Sequence, residues 1–213
     1  MLLGFFSLLA LLGPAWWCCA GIGLLGCTLI LVRLNRLQDK GASMLLAVSG
    51  LAISLIAVSF APTYFYLRQA QLCWQASMIG EQWLHSIVTE KSYLALAAMD
   101  NPETRLVNEQ LRDFYRDTPK ESKALKQFAN QKLIRSLIEL NGKARIRFYR
   151  TESILNLDGA VIVANLYEVT DGNNSESPKP LFVRLVIERR TNPGSSQVFW
   201  KIRRYREGVR PPI

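Results

Sequence analysis

His85 is the only histidine among 213 residues, and it stands beside Trp83 and Leu84 on a stretch with helical period. An imidazole near apolar neighbours is the side chain best matched to general acid–base work at neutral pH. With no obvious partner, a lone histidine is more often a structural or surface group, so His85 is kept only as a pocket candidate. Asp100 and Glu168 are the next candidates. Asp100 reads as a helix-end cap and Glu168 as the partner of an arginine across a sheet. No GxGxxG, GxxxxGK[ST], HExxH or CxxC pattern occurs. Asp171, Asn173, Asn174 and Glu176 offer oxygen ligands but lack the length of a calcium loop, and they read as a hairpin connection. The residues therefore predict no catalytic set, no cofactor site and no metal site.

Charge is the remaining signal. Lys and Arg number 26 against 17 Asp and Glu, a formal net charge of +9. From Lys143 to Arg210 the excess is concentrated in alternating segments, where Arg145, Arg147, Arg184, Lys201 and Arg203 fall on one set of strand faces. The plain reading is a solvated sheet face. The functional reading is a basic surface attracted to anionic lipid headgroups or an acidic partner. Nucleic acid is a poorer fit, because the basic strands interleave few aromatics on which bases could stack.

These residues must be positioned by two very different parts of the chain. Residues 1–67 hold four charges, Arg33, Arg36, Asp39 and Lys40, all in one short stretch. The uncharged runs on either side each exceed the roughly 20 residues a helix needs to cross the hydrocarbon core. The first run lacks a basic leading segment and a small-x-small site, so it is expected to stay uncleaved. Gly13-Pro14 is a natural place for its helix to begin. Trp16 and Trp17 would mark one membrane interface, and Tyr64 and Tyr66 its counterpart. This predicts spans near 15–33 and 43–64, with residues 1–12 as a helical extension or headgroup-level segment. Arg33, Arg36 and Lys40 in the connecting turn place that turn in the cytoplasm, leaving both termini outside.

Ala47, Gly50, Ser54, Ala57 and Ala61 recur at spacings of three and four, and Cys19, Gly23, Gly26 and Cys27 do the same in the first run. Small residues on one stripe let two backbones approach closely in lipid. Cys18, Cys19 and Cys27 read as small apolar residues at membrane depth. Cys73, past the second run, has no partner dictated by spacing. With Val32, Arg33 and Arg36 leading into the small-residue run from Gly41 to Ser54, residues 1–67 resemble a two-helix membrane module common in bacterial proteins. That module implies an anchor and no chemistry.

Residues 68–80 predict a helical stalk. A domain over 81–207 then opens with three helical stretches, around 83–97, 111–115 and 125–138. The first is broken at Asn101-Pro102, the second ends at Thr118-Pro119 and the third stops at the Asn141-Gly142 cap. The period next changes to two. Ala144, Ile146 and Phe148 alternate with arginines. Ala160 to Val169 is apolar on both faces except for Asn165 and Glu168, as a central strand would be. Leu181 to Ile187 and Val198 to Ile202 alternate again, with turns at Asp158-Gly159, at 171–174 and at 192–194. Three helices followed by a four-strand antiparallel meander make a membrane-anchored α+β protein with a short tail at 208–213.

That order, with Phe199-Trp200-Lys201-Ile202 in the last strand, resembles the nuclear-transport-factor-2-like, or cystatin-like, fold. In this superfamily a curved sheet and three helices form a cone around a pocket. Its members include isomerases, dehydratases, secretion-system components and ligand-binding modules. The resemblance implies that an enzyme of this kind would hold an Asp or His inside the cone. The expectation is a membrane-tethered, non-enzymatic binding or assembly module, multi-pass and displayed outside a bacterial cytoplasmic membrane. Its partner would be a protein or a small apolar ligand. The alternatives are a cone-fold isomerase or hydrolase with an unrecognised acid or base, and a secretion-type scaffold subunit.

Overall fold

The computed structural model describes residues 17–34, 41–100, 108–157, 159–172, 180–191 and 197–209. Expectations resting on residues 1–12, Gly13-Pro14, Trp16, Arg36, Lys40, Asn101-Pro102, Asp158, 173–176 and 192–194 lie outside the described residues, as does the side chain of Trp17. The chain divides into two compact units, Met1–Leu72 and Cys73–Ile213.

In the first unit, helix α1 is Trp17–Leu34, and helix α2 begins at Gly41 and runs to Val88. Among the described residues one helix, Met44–Val88, is long and apolar enough by length and composition to cross a membrane, and Gly21–Arg33 is a shorter apolar one. The apolar surface here is sorted by size. Gly23, Cys27, Ala47, Gly50, Ser54, Ala57 and Ala61 are buried, whereas Ile22, Leu25, Leu29, Leu45, Ile56 and Phe60 are exposed. A helix folded in water does the opposite and hides its large side chains. Ser54 satisfies its hydroxyl locally by donating to Gly50 O at 2.9 Å. Arg33, Tyr64 and Tyr66 are exposed, and Cys18, Cys27 and Cys73 are free thiols.

In the second unit the helices are more numerous than the sequence period implies. Helix α2 continues to Val88 and ends in a turn where Glu90 takes a φ of 61°. It is followed by α3 (Ser92–Ala97), α4 (Asn108–Asp117), α5 (Pro119–Ala129) and α6 (Lys132–Glu139). The third expected helix is thus two, separated at Asn130-Gln131, where Gln131 adopts an extended conformation and caps α6. Pro119 opens α5 at a position where its missing N–H costs nothing. Asn141 and Gly142 both have positive φ, 45° and 74°, and the Gly142 N–H then donates to Val88 O at 2.9 Å. The predicted cap therefore also ties the end of α6 to the end of α2.

Four strands follow: β1 (Ala144–Leu157), β2 (Ala160–Asp171), β3 (Leu181–Thr191) and β4 (Val198–Glu207). They form one antiparallel sheet in the order β1-β2-β3-β4. β2 is central and buried on both faces, Val163, Tyr167 and Val169 on one and Ala164 and Leu166 on the other. The helix-facing side contributes Val163, Tyr167, Val183, Leu185, Ile187 and Ile202 to a core completed by Trp83, Leu84, Ile87, Phe128, Ile134 and Leu137. Ala76 belongs to this core and is fully buried, so the segment expected as a stalk to residue 80 already packs inside the domain from Ala76 onward.

Helix α2 approaches the sheet closely at Gly80. A Cβ there would overlap the Tyr167 phenol. Gly→Ala in a helix interior ordinarily stabilises by about 1 kcal/mol, but here the overlap dominates. Gly80→Ala is expected to lower stability by about 1–3 kcal/mol, as overpacked cores do. Tyr167→Phe in the same chain should recover part of that loss, as a double-mutant cycle on thermal unfolding would read. Additive losses would refute the contact.

Candidate functional site

The helix-facing side of the sheet is where the cone resemblance would place chemistry, and it carries a chain of hydrogen bonds. Thr151 Oγ1 donates to Asn165 Oδ1 at 2.8 Å, and Asn165 Nδ2 donates to Tyr167 Oη at 3.2 Å. Tyr167 Oη in turn stands 3.1 Å from Ser77 O and 3.3 Å from Ala76 O, to which it donates. Asn165 and Tyr167 are fully buried. Burial raises the Tyr167 pKa, the negative charge of Glu81 adds to this, and the Asn165 hydrogen bond opposes it. A neutral phenol with its proton engaged is a structural group rather than a base. The sequence marked Asn165 only as a polar interruption of an apolar strand. Such an interruption requires a buried partner, but periodicity does not identify which.

Two clefts flank α2. The larger, of about 450 Å³, lies towards β4 and is lined by residues that include Ile79, Trp83, Leu94, Leu111 and Trp200, with Gln82, Ser86 and Lys201 as its polar members. Its floor is rigid. Trp83 Nε1 donates to Ala95 O at 2.8 Å, and its ring packs against Phe128 and Tyr205 at centroid distances of 6.4 and 5.2 Å. Tyr205 is fixed by donating its hydroxyl proton to Gln131 Oε1. At the cleft's edge the Ile202 N–H donates to Ala98 O at 3.0 Å, so β4's outer edge is partly engaged by the segment after α3.

The smaller cleft, of about 330 Å³, lies towards β1 and is lined by Met78, Glu81, Gln82, His85, Ala144 and Ile146. His85 is exposed there, one helical turn from Glu81. Asp100, expected as a cap, instead accepts a hydrogen bond from the Tyr115 hydroxyl at 3.2 Å. Glu168 is in register with Arg147, as cross-strand pairing requires. The structure therefore places Glu81, which the sequence did not single out, in the same cleft as His85, and keeps Asp100 and Glu168 elsewhere. No group of three or more His, Cys, Asp or Glu placed to hold a metal occurs among the described residues.

The basic residues divide. The sheet's outer face carries Arg145, Arg147, Arg184 and Lys201, but Arg203 occupies a bulge: Ile187 pairs with Ile202 and Val186 with Arg204, leaving Arg203 without a register partner. Arg204 and Arg206 take the outer face beside Arg184 instead. Lys201 lies 3.7 Å from Glu188, whose carboxylate is also 2.9 Å from Arg190 Nη2. Glu188 reads as a solvent-facing residue of an alternating strand, yet only 2% of it is exposed. Arg145, Arg147 and Arg203 are exposed. Compared with family models, curated proteins and solved structures, the chain finds no match.

Tyr167 gives the domain a pH signature. Its folded pKa lies above the unfolded value of 10.0, so the unfolded chain releases this proton first. The contribution to stability is whole below pH 10 and declines as pH rises above it. Burial moves Tyr205 the same way. Urea unfolding between pH 8 and 11 should show a steeper alkaline loss for the wild type than for Tyr167→Phe. Parallel curves would contradict the assignment.

Proposed function

We propose that this protein is a membrane-tethered binding module. Its first unit is a two-span hairpin of α1 and the apolar part of α2. Its second is a cone-like α+β domain held outside the cytoplasm, which binds a partner protein or a small apolar ligand without transforming it. The observation that carries this reading is the division of apolar surface. The first unit turns its large side chains outward and its small ones inward, as lipid exposure favours. The second closes its interior over satisfied polar groups and leaves an apolar, tryptophan-lined cleft beside α2. Clefts of this size with few polar groups suit binding. The basic turn at Arg33, Arg36 and Lys40 supports the orientation.

One observation favours a second reading, a cone-fold isomerase or hydrolase. His85 and Glu81 both line the smaller cleft, and each is a side chain of a type used in proton transfer.

Three measurements on the full chain separate these readings. The protein should stay in the membrane pellet after alkaline carbonate extraction; release into the supernatant would remove the tether. With Cys18, Cys19 and Cys27 replaced by serine, Cys73 should react with an impermeant maleimide in intact cells. Labelling only after lysis would reverse the orientation. In phosphatidylcholine nanodiscs the protein should leave keto and hydroxyacyl substrates at their protein-free rates. Turnover that His85→Ala abolishes would establish the enzyme reading instead.

A further inference from the structure

A third concavity, of about 190 Å³, opens on the outer face of the sheet and is lined by Arg184, Val186, Arg204, Tyr205 and Arg206. The register explains why the arginines converge. Arg184 on β3 stands directly opposite Arg206 on β4, and Arg204 opposite Val186, so three guanidinium groups project from adjacent positions on one face. The same row continues through Leu166 on β2 to Arg150 on β1, which adds a fourth arginine at its end. Cross-strand neighbours of like charge are destabilising unless something screens them.

Among the described residues one carboxylate pairs with this group. Glu152, turned out of phase by a bulge on β1, brings Oε2 to 2.7 Å from Arg184 Nε. Both side chains are about three-quarters buried. Of the other acids of this face, Glu188 is engaged by Arg190 and Lys201, and Glu168 stands between Arg147 and Phe182. Among the described residues neither Arg204 nor Arg206 has an acidic partner. Three permanently charged groups with one counter-charge leave a local excess of positive charge on a small concave surface.

We infer that Arg184, Arg204 and Arg206 form a binding site for a phosphate group. Guanidinium presents paired N–H donors whose spacing matches two oxygens of one phosphate, and it stays charged at any working pH. A concavity of this size holds one such group, over a floor of Val186 and beside the Tyr205 backbone. The chemistry is shared by a soluble phosphate ester and by a phospholipid headgroup. The inference deepens the binding-module reading and rests on it, since it names a ligand class for the second unit.

The test uses the full chain in phosphatidylcholine nanodiscs, titrated with inorganic pyrophosphate at constant ionic strength and followed by calorimetry. Saturable binding is expected, weakened about tenfold or more in the Arg204→Gln/Arg206→Gln variant, as loss of charged bidentate donors implies. Lys120→Gln/Lys123→Gln removes the same charge from an exposed helix and should bind as the wild type does. Arg206→Lys keeps the charge but not the fork, and should weaken binding severalfold. A second arm replaces part of the phosphatidylcholine with phosphatidylglycerol and omits pyrophosphate. A change in amide exchange at β3 and β4 that depends on Arg204 and Arg206 would identify a lipid headgroup as the source, while pyrophosphate binding alone would identify a soluble phosphate. Equal weakening by the lysine and arginine pairs, or no saturable response in either arm, would overturn the site. Anchoring judged by carbonate extraction is independent of these outcomes, so the site can fail while the tethered module stands.

Discussion

The close approach of α2 to β2 at Gly80 and Tyr167 sets the geometry of the whole second unit. A phenol pressed against a helix that lacks a side chain at that point fixes both the distance and the rotation of α2 over the sheet. With the Gly80 side of the helix against β2, Trp83 must face α3 and β4, and Glu81 and His85 must face β1. The two clefts are what remains on either side. Asn165 and Thr151 extend the constraint across to the neighbouring strand. Because every polar atom in that relay has a partner, the relay specifies one arrangement at little desolvation penalty. A similar approach with any Cβ at position 80 would lift the helix and open the interior that the sequence resemblance associates with a pocket.

The outer face follows a different logic, governed by bulges. On β1, register shifts between Phe148 and Arg150 and between Thr151 and Ser153 reset the phase twice within five residues. On β4 one shift exchanges Arg203 for Arg204 and Arg206. Each extra residue turns the side chains beyond it to the opposite face. The result is uneven electrostatics across that face. Towards one end, Glu188 is buried and neutralised by Arg190 and Lys201. Around Arg184 the positive charge exceeds its counter-charge. A buried carboxylate between two cations adds little net stability once desolvation is counted. What it does is hold the ends of β3 and β4 in register, since either strand slipping by one residue would strand the charge.

How much of this was legible in the sequence depended on how local its cause was. The strand alternation, the central character of β2 and the Asn141-Gly142 cap each rest on residues a few positions apart, and each has a counterpart in the fold. The break at Asn130-Gln131 carries no glycine or proline, so helical period alone ran straight through it. That the core reaches back to Ala76 is hidden in the sequence, because Ala76 and Gly80 look like any small helical residues until Tyr167, some ninety positions away, is placed upon them. The same distance hides the role of Asn165. Bulges defeat alternation in the simplest way, by one uncounted residue, which is why Arg203 was grouped with the outer-face arginines and Arg204 and Arg206 were not. Of the candidate site, the sequence found His85 but not Glu81 beside it, although a spacing of four on one helix was available to read.

The sorting of side chains by size in the first unit points to an environment rather than a contact. Leu25, Leu29, Leu45, Ile56 and Phe60 each leave about half or more of their surface open while alanine, glycine and serine are hidden. In water, every such side chain left exposed forgoes about 1.5–3 kcal/mol of available burial, and rotating the helices to hide them would recover it. In hydrocarbon that incentive vanishes, because lipid tails are as apolar as leucine, and close packing of small residues becomes the better use of the inner face. Pro62 inside α2 fits the same environment, where a helix with a broken hydrogen bond still has no better alternative than to remain helical. Three of the hydroxyls on this segment are bonded locally: Ser49, Ser54 and Thr63 each donate back to a carbonyl three or four residues earlier. The covered stripe, the proline and the back-bonded hydroxyls are the observations on which the proposed membrane setting of this segment rests.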